Sequence, residues 1–169
     1  MKSFTKFAAI VISFLCVTAA FAGSVWMTDF KLAKALAKKE NKLILADFSG
    51  SDWCGWCIKL DKEVFSQAKF KTFAKKHFVL LMLDYPRGKS QAAALKRQNA
   101  ELAQKYGVTG FPTVLLLDSN GKLKAKNGYM RGGPDAYIKF LQKYTEKKPT
   151  KPSSATKKSF WGSVWRMFF

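Results

Sequence analysis

Histidine and cysteine are scarce in this chain, and their scarcity limits the chemistry that it can perform. Among 169 residues there are one histidine, His77, and three cysteines, of which Cys54 and Cys57 are separated by only two residues. A structural zinc site usually needs four Cys or His ligands, so we expect no metal site. Covalent haem attachment at a C-x-x-C motif requires a histidine directly after the second cysteine, where this chain has Ile58.

Acidic residues are also few. The chain has 11 Asp and Glu against 30 Lys and Arg, which gives a formal charge of +19. Such an excess favours anionic surfaces and partners. Nucleic acid is one such partner, but the lysines are spread over the whole chain, and the first 22 residues have the pattern of an export signal, which makes an encounter with nucleic acid rare. We therefore expect no nucleic-acid binding and favour acidic client proteins or anionic lipid.

The chain begins with an apolar run that is shorter than the ~20 residues of a membrane-spanning helix. A lysine-containing start precedes the run at residues 7–17, and Ala20-Phe21-Ala22 forms an A-x-A cleavage site. This pattern predicts a signal peptide at residues 1–22 that is cleaved on export to the periplasm. An uncleaved membrane anchor is the alternative. The third cysteine, Cys16, lies within the apolar run and would be removed with the signal.

Hydrophobic spacing divides residues 23–144 into alternating helices and strands. Helical spacing predicts helices at 28–39, from 54 to about 66 with the pattern continuing to 76, at 90–106, and at 135–144. Short apolar runs predict strands at 43–48, 78–83 and 113–117, with a return strand at 122–126 after a turn. Thr28 or Asp29 is the expected N-cap of the first helix, and Ala94, Leu95 and Leu102 are expected core contacts. Nearly continuous apolar strands indicate a sheet covered on both faces.

The C-terminal part of the chain differs in composition. Residues 145–158 are rich in Lys, Pro, Ser and Thr, which predicts a flexible linker. Residues 159–169 are dense in aromatic side chains that would share one face of a short helix. Aromatic residues after a basic linker are typical of attachment to an anionic membrane surface, and eleven residues are too few to span it. A disordered end, docking on the chain's own domain and partner recognition are the alternatives.

The sequence Cys54-Gly55-Trp56-Cys57 is a C-x-x-C motif beside a βαβ pattern, which is typical of a redox-active dithiol. In an oxidising compartment, structural disulfides usually close longer loops and occur in larger numbers. Cys54 lies at a predicted helix N-terminus, where free amides and the helix dipole stabilise a thiolate, so it is the expected nucleophile. Cys57, one turn deeper, is the expected resolving cysteine.

The order of the motifs resembles thioredoxin over residues 28–144. The matching segments are Leu45-Ala46-Asp47-Phe48, Trp53-Cys54-Gly55-Trp56-Cys57, Tyr106-Gly107-Val108-Thr109-Gly110-Phe111-Pro112-Thr113 and Asn120-Gly121. Within that superfamily, residues 48–57 are similar to exported bacterial thioredoxin-like disulfide reductases of the DsbH type. The resemblance implies an α/β thioredoxin fold at 23–144, with a mixed sheet of four to five strands and helices on both faces. It also implies a redox-active Cys54–Cys57 disulfide with no other cofactor.

The same resemblance assigns a role to Asp47, which matches the family's buried carboxylate behind the resolving cysteine. Burial would raise its pKa and suit proton transfer from Cys57. The alternative is a carboxylate at a strand end that backbone or solvent satisfies. Many thioredoxins place a lysine beside this acid from the next strand, and the aligned residue here is Leu80.

Four residues are candidates for client binding. Phe111-Pro112 resembles the family's cis-proline loop, which offers backbone groups to an extended client, although an ordinary trans proline at a strand start is the alternative. Trp53 and Trp56 flank Cys54 in sequence. They are expected to contact the client or, alternatively, to pack against neighbouring helices.

The resulting functional hypothesis is disulfide exchange with exported client proteins, supplied with electrons by an unidentified membrane donor. The family resemblance favours reduction. Isomerase and oxidase activity stay open because Gly55-Trp56 does not by itself define a reduction potential. The competing hypothesis is a non-catalytic module that presents the basic surface and aromatic tail to a membrane or partner.

Overall fold

A computed structural model of the protein describes residues 26–145. The predicted signal peptide at 1–22 and aromatic tail at 159–169 lie outside the described residues, as does all of the predicted linker except residue 145. Between residues 26 and 145, no helix has both the length and the apolar character needed to cross a membrane.

Within the described residues, four strands form one mixed sheet. They are β1 (Leu43–Ser49), β2 (Phe78–Asp84), β3 (Thr113–Leu117) and β4 (Leu123–Asn127), in the spatial order β2-β1-β3-β4. β1 is parallel to β2 and antiparallel to β3, which is antiparallel to β4. At the outer edge of β2, Met27 makes an isolated parallel bridge to Leu81. The predicted mixed sheet of four to five strands is confirmed.

Helices cover both faces of this sheet. In the described part of the chain they are α1 (Phe30–Glu40), α2 (Gly55–Leu60), α3 (Ala68–His77), α4 (Ala93–Lys105) and α5 (Gly133–Thr145). Successive strand residues point to opposite faces, so Ile44, Ala46 and Phe48 pack with α1 and α4, whereas Leu45 packs with α2, α3 and α5. Asp47 shares the alternation of Leu45 and therefore faces the α2 side. The predicted α/β architecture is confirmed.

The segment after the first cysteine differs from the continuous helical pattern predicted for residues 54–76. α2 ends at Leu60 and widens into a π-helical turn at Asp61–Phe65, where the Ser66 N–H donates to the Asp61 carbonyl over 2.8 Å. The chain is extended at Gln67, with ψ at 136°, before α3 begins. Both segments bury apolar side chains in the same core cluster, so their apolar spacing continues across the break. Periodicity alone therefore did not reveal it.

The predictions for α1 and α4, which cover the face of the sheet opposite α2, are confirmed in part. Asp29 caps α1 through its side chain, as predicted. Leu102 of α4 is buried, but Ala94 is exposed, so its prediction as a core contact is wrong. α4 begins three residues later than predicted, which leaves Ala94 in its first turn. The buried side of α4 instead contains Asn99, whose amide donates to the Asp84 carbonyl over 2.9 Å.

Candidate active site

A disulfide joins Cys54 and Cys57 where the loop after β1 enters α2. Cys54 is the N-cap residue of α2, and its Cα lies 5.2 Å from the Cα of Cys57. The Cys57 backbone N–H donates to the Cys54 sulfur over 3.2 Å, and the Cys54 N–H donates to the Gly50 carbonyl over 2.9 Å. The Cys54 sulfur therefore occupies a position where amides at a helix start stabilise negative charge.

The two cysteines have different surroundings. Cys54 is 7% exposed and lies between Trp53 and Trp56, which are 36% and 53% exposed. Cys57 is 4% exposed and lines a cavity of about 270 Å³ that Asp47 also lines. Both cysteines are therefore buried, but Cys54 adjoins exposed indole rings in the sequence, whereas Cys57 shares a cavity with a carboxyl group.

Asp47 is a buried carboxylic acid, only 4% exposed, on the α2 side of β1. Its Oδ1 is the one buried side-chain nitrogen or oxygen atom of the described residues that has no hydrogen-bonding partner. Burial and, to a smaller extent, the nearby carboxylates of Asp61 and Asp84 together raise the pKa of Asp47 to about 8. Asp47 is therefore mostly protonated at neutral pH and can exchange a proton in the range where thiols ionise.

The cavity connects this carboxyl group to the surface. It is lined by Asp47, Ser49, Ser51, Cys57, Ile58, Asp61 and Met82. Of these, Ser51, Ile58 and Asp61 are exposed residues. Because a water molecule occupies about 30 Å³ in the liquid, the cavity has room for several waters between Asp47 and solvent. It therefore offers a proton a route from Cys57 through Asp47 to bulk water.

The residue beside Asp47 on β2 is Met82, because the parallel register pairs these two positions. Leu80, which the family resemblance aligns with the lysine of many thioredoxins, pairs with Leu45 two residues earlier and lies in the same core cluster. Asp61 was not among the residues predicted from the sequence, although it lies four residues after Cys57 and therefore on the same helical face. Thus carboxylates, rather than a lysine, adjoin the buried acid.

The indole of Trp53 is held beside the disulfide by several contacts. Its Nε1–H donates to the Tyr85 carbonyl over 2.7 Å, and its ring meets Phe111 edge-on at 6.0 Å between centroids. The guanidinium carbon of Arg87 lies 3.7 Å from the indole centroid. A Cβ on Gly50 would come within 2.5 Å of the indole, so only glycine fits there. No sequence motif pointed to Tyr85 or Arg87.

Trp56 belongs to a separate cluster on the α2 side. Its ring centroid lies 5.1 Å from that of Tyr129, and the Lys59 ammonium lies 5.3 Å from both centroids. The Tyr129 hydroxyl donates to a Glu63 carboxylate oxygen over 2.6 Å, and Lys59 pairs with the same carboxylate at 3.8 Å. Trp56 is thus largely exposed, and its ring contacts Tyr129 and Lys59. Helical spacing from Trp56 to Lys59 and Glu63 was the available sequence signal.

The peptide bond between Phe111 and Pro112 is cis, as the family resemblance implied. Phe111 packs between Trp53 and Tyr85, with 4.8 Å between its centroid and that of Tyr85. A Cβ on Gly128 would lie 3.0 Å from the Pro112 carbonyl oxygen, which shows how closely the two backbones approach. The structure therefore brings the Pro112 loop next to the Trp53 side of the disulfide.

Between residues 26 and 145, no group of three or more His, Cys, Asp or Glu side chains is arranged to hold a metal ion. The expectation that the whole chain uses no metal stays a prediction. The redox group that this part of the chain contains is the Cys54–Cys57 disulfide.

Known proteins resemble this chain in sequence and in structure. A family model described as a thioredoxin-like domain matches residues 30–145. The Chlamydia pneumoniae protein named disulfide bond reductase DsbH is 38% identical over 102 residues, which are 60% of this chain and 61% of that protein. A solved structure named DsbH oxidoreductase superposes with a TM-score of 0.67 and 34% identity, covering 70% of this chain and 82% of that chain. The crystal structure of a disulphide isomerase from Xylella fastidiosa Temecula1 gives a TM-score of 0.54 and 27% identity over 69% and 88% of the two chains.

The matched family region contains Asp47, Cys54, Cys57 and Pro112, the main parts of the site described above. The chain spans less than two thirds of the length of the curated DsbH relative. The match therefore extends over the domain and its site rather than over the whole of that protein.

Proposed function

This chain belongs to the thioredoxin-like domain family, and we propose that it acts as an exported thiol-disulfide oxidoreductase that reduces disulfides of client proteins in the periplasm. The observation that supports the proposal is the position of the Cys54–Cys57 disulfide at the start of α2, next to a cavity that Cys57 shares with the buried Asp47, whose Oδ1 has no hydrogen-bonding partner. These are the groups that two successive thiol-disulfide exchanges require.

In the first exchange, the Cys54 thiolate of the reduced protein attacks one sulfur of the client disulfide. A mixed disulfide forms, and the other client sulfur leaves as a thiolate. The amides at the start of α2, including the Cys57 N–H that reaches the Cys54 sulfur, stabilise the attacking thiolate.

In the second exchange, Cys57 transfers its proton to the ionised carboxylate of Asp47 by way of the shared cavity. The Cys57 thiolate then attacks the Cys54 sulfur, breaks the mixed disulfide and releases the second client thiolate. The client gains two electrons, and the protein dithiol loses two as its disulfide closes. Solvent protonates the client thiolates.

Cysteine variants test this scheme. We expect Cys54→Ser to abolish reduction of a model protein disulfide, because no nucleophile reaches the client. We expect Cys57→Ser to attack the client and stop at the mixed disulfide, which non-reducing electrophoresis detects. Full activity of the Cys54→Ser, Cys57→Ser double variant in the native host would instead assign the chain to a non-catalytic binding module.

The direction of electron flow is part of the proposal. The name of the DsbH relative supports reduction, whereas the Xylella fastidiosa neighbour is named an isomerase. Equilibration with glutathione buffers measures the reduction potential. A value near that of thioredoxin, about −270 mV, would support reduction, and a value near about −120 mV would assign the protein as an oxidant. We further propose that a membrane electron donor regenerates the dithiol.

We also propose that residues 1–22 are a cleaved signal peptide and that the tail at 159–169, joined by the linker at 145–158, binds an anionic membrane surface. The basic and aromatic composition of this C-terminal part supports attachment. Binding to anionic and neutral liposomes should be compared between the mature chain and a version that ends at residue 144. Equal binding by both would contradict the attachment.

A further inference from the structure

A cation lies at the surface beside the cysteine that meets the client. Arg87 belongs to the loop between β2 and α4, and its guanidinium carbon lies 3.7 Å from the centroid of the Trp53 indole. Both residues are exposed, and Trp53 immediately precedes Cys54. The hydrogen bond from Trp53 Nε1 to the Tyr85 carbonyl, 2.7 Å long, fixes the indole under the guanidinium.

Arg87 has no acidic partner among the described residues. The ion pairs within residues 26–145 are Lys42–Glu40, Lys59–Glu63, Lys69–Asp135 and Lys124–Asp118. The Asp52 carboxylate instead binds the backbone of the same loop. It accepts hydrogen bonds from the Arg87 N–H over 3.1 Å and from the Gly88 N–H over 2.7 Å. The loop is thereby anchored while the guanidinium group is left without a carboxylate.

The opposite side of the disulfide is different. There, Lys59 lies over Trp56 and Tyr129, but Glu63 pairs with its ammonium at 3.8 Å. The positive charge on that side is therefore balanced within the protein. Of the two cations that lie over these tryptophan rings, Arg87 is therefore the one without a carboxylate in an ion pair.

Building on the proposed thiol-disulfide activity, we infer that Arg87 and Trp53 form a docking subsite for an acidic residue adjacent to the client's cysteine. A guanidinium group binds a carboxylate through two parallel hydrogen bonds, and stacking on an indole orients its plane in advance. The exposed indole packs against the apolar part of the same client segment. The chain has 30 basic and 11 acidic residues, and the resulting positive charge attracts acidic partners over a longer range.

Three disulfide-bonded peptides that differ only at the residues flanking one cysteine test this subsite. The flanks are glutamate, glutamine or lysine. The full mature chain is reduced with dithiothreitol, freed of it, and mixed with each peptide, and the second-order rate constant of peptide reduction is measured at low and high salt. The variants are Arg87→Gln, Arg87→Lys, and the matched control Arg97→Gln, which removes the same charge from an exposed position of α4.

We expect the original chain to reduce the glutamate peptide fastest and the lysine peptide slowest, with the difference shrinking at high salt. Arg87→Gln should lower the ratio of glutamate to glutamine rate constants by about two- to fivefold, the range of an exposed ion pair. Arg87→Lys should retain part of the preference, and Arg97→Gln should retain nearly all of it.

An equal effect of Arg87→Gln on all three peptides, or a preference lost equally in Arg97→Gln, would overturn the subsite. The first result would mean that Arg87 only supports Trp53, and the second that net charge alone selects clients. Failure of the original chain to reduce any peptide would instead contradict the proposed function.

Discussion

Replacing Asp47 with asparagine removes a buried ionisable group and keeps its size. In the folded protein the pKa of Asp47 is raised from 3.8 to about 8, mainly by burial. Between these values the unfolded chain carries an ionised Asp47, whereas the folded chain must keep it protonated. As pH rises through this interval, the free energy of unfolding therefore falls by about 1.4 kcal/mol for each pH unit. At pH 7, about three units above 3.8, the cost reaches about 4 kcal/mol.

The sign of this effect is opposite to that of an ordinary surface carboxylate. Because the folded state binds more protons than the unfolded state, stability falls as pH rises from about 4 and levels off above about 8. We expect Asp47→Asn to be nearly as stable as the original chain near about pH 4 and more stable at pH 7, by up to about 4 kcal/mol. That difference is large against a typical domain stability of about 5–15 kcal/mol.

Urea unfolding of the oxidised proteins at a series of pH values measures this difference. The matched control is Asp52→Asn, because Asp52 is only partly buried and backbone hydrogen bonds from Arg87 and Gly88 lower its pKa. A lowered pKa stabilises the fold above its unfolded value, and that stability is lost only as pH falls below about 4. The control should therefore show no growing gap from the original chain between about pH 5 and pH 8. A constant gap for Asp47→Asn over the same range would refute the reasoning.

The same substitution should have the opposite effect on the reaction. Asparagine cannot accept the proton of Cys57, so resolution of the mixed disulfide should slow by roughly 10²-fold, the lower range for loss of a general base. The original chain should resolve faster as pH rises through about 8, where Asp47 ionises, and the variant should lose that inflection. Stopped-flow measurement of resolution separates this effect from stability. An unchanged rate would remove Asp47 from the proton-transfer scheme.

Two further substitutions probe the packing of the site. Met82→Lys places a cation opposite Asp47 on β2. We therefore expect the pKa of Asp47 to fall below about 8, and the loss of stability with rising pH to level off at a lower pH. Unfolding curves that keep the original pH dependence would contradict this. Gly50→Ala forces a Cβ to within 2.5 Å of the Trp53 indole and should destabilise the fold by about 1–3 kcal/mol, with a change in tryptophan fluorescence. The matched Gly55→Ala meets no atom within 4 Å and should be neutral or stabilising by about 0.4–1 kcal/mol, so equal losses in both variants would refute the steric argument.

The helices and strands that position the disulfide follow from local patterns. Apolar strand runs with helical spacing between them predicted β1, β2, β3 and the helices to within a few residues. The strand alternation that places Asp47 with Leu45 on the α2 side is likewise a property of the sequence. The break between α2 and α3 did not follow, because both segments bury the same face and continue one apolar spacing.

The sequence by itself determined the reactive pair, because a C-x-x-C motif needs only four consecutive residues and a helix start to define its chemistry. The identity of the groups around the pair was decided by the tertiary structure. Met82 lies beside Asp47 because of the register in which β1 and β2 pair. Apolar patterning does not define this register, because a shift of two residues keeps the same side chains on the same face. Arg87 reaches Trp53 only because the loop after β2 folds back over the loop after β1, where Asp52 anchors it. Contacts between distant segments depend on how strands pair and loops fold, and no local spacing records them.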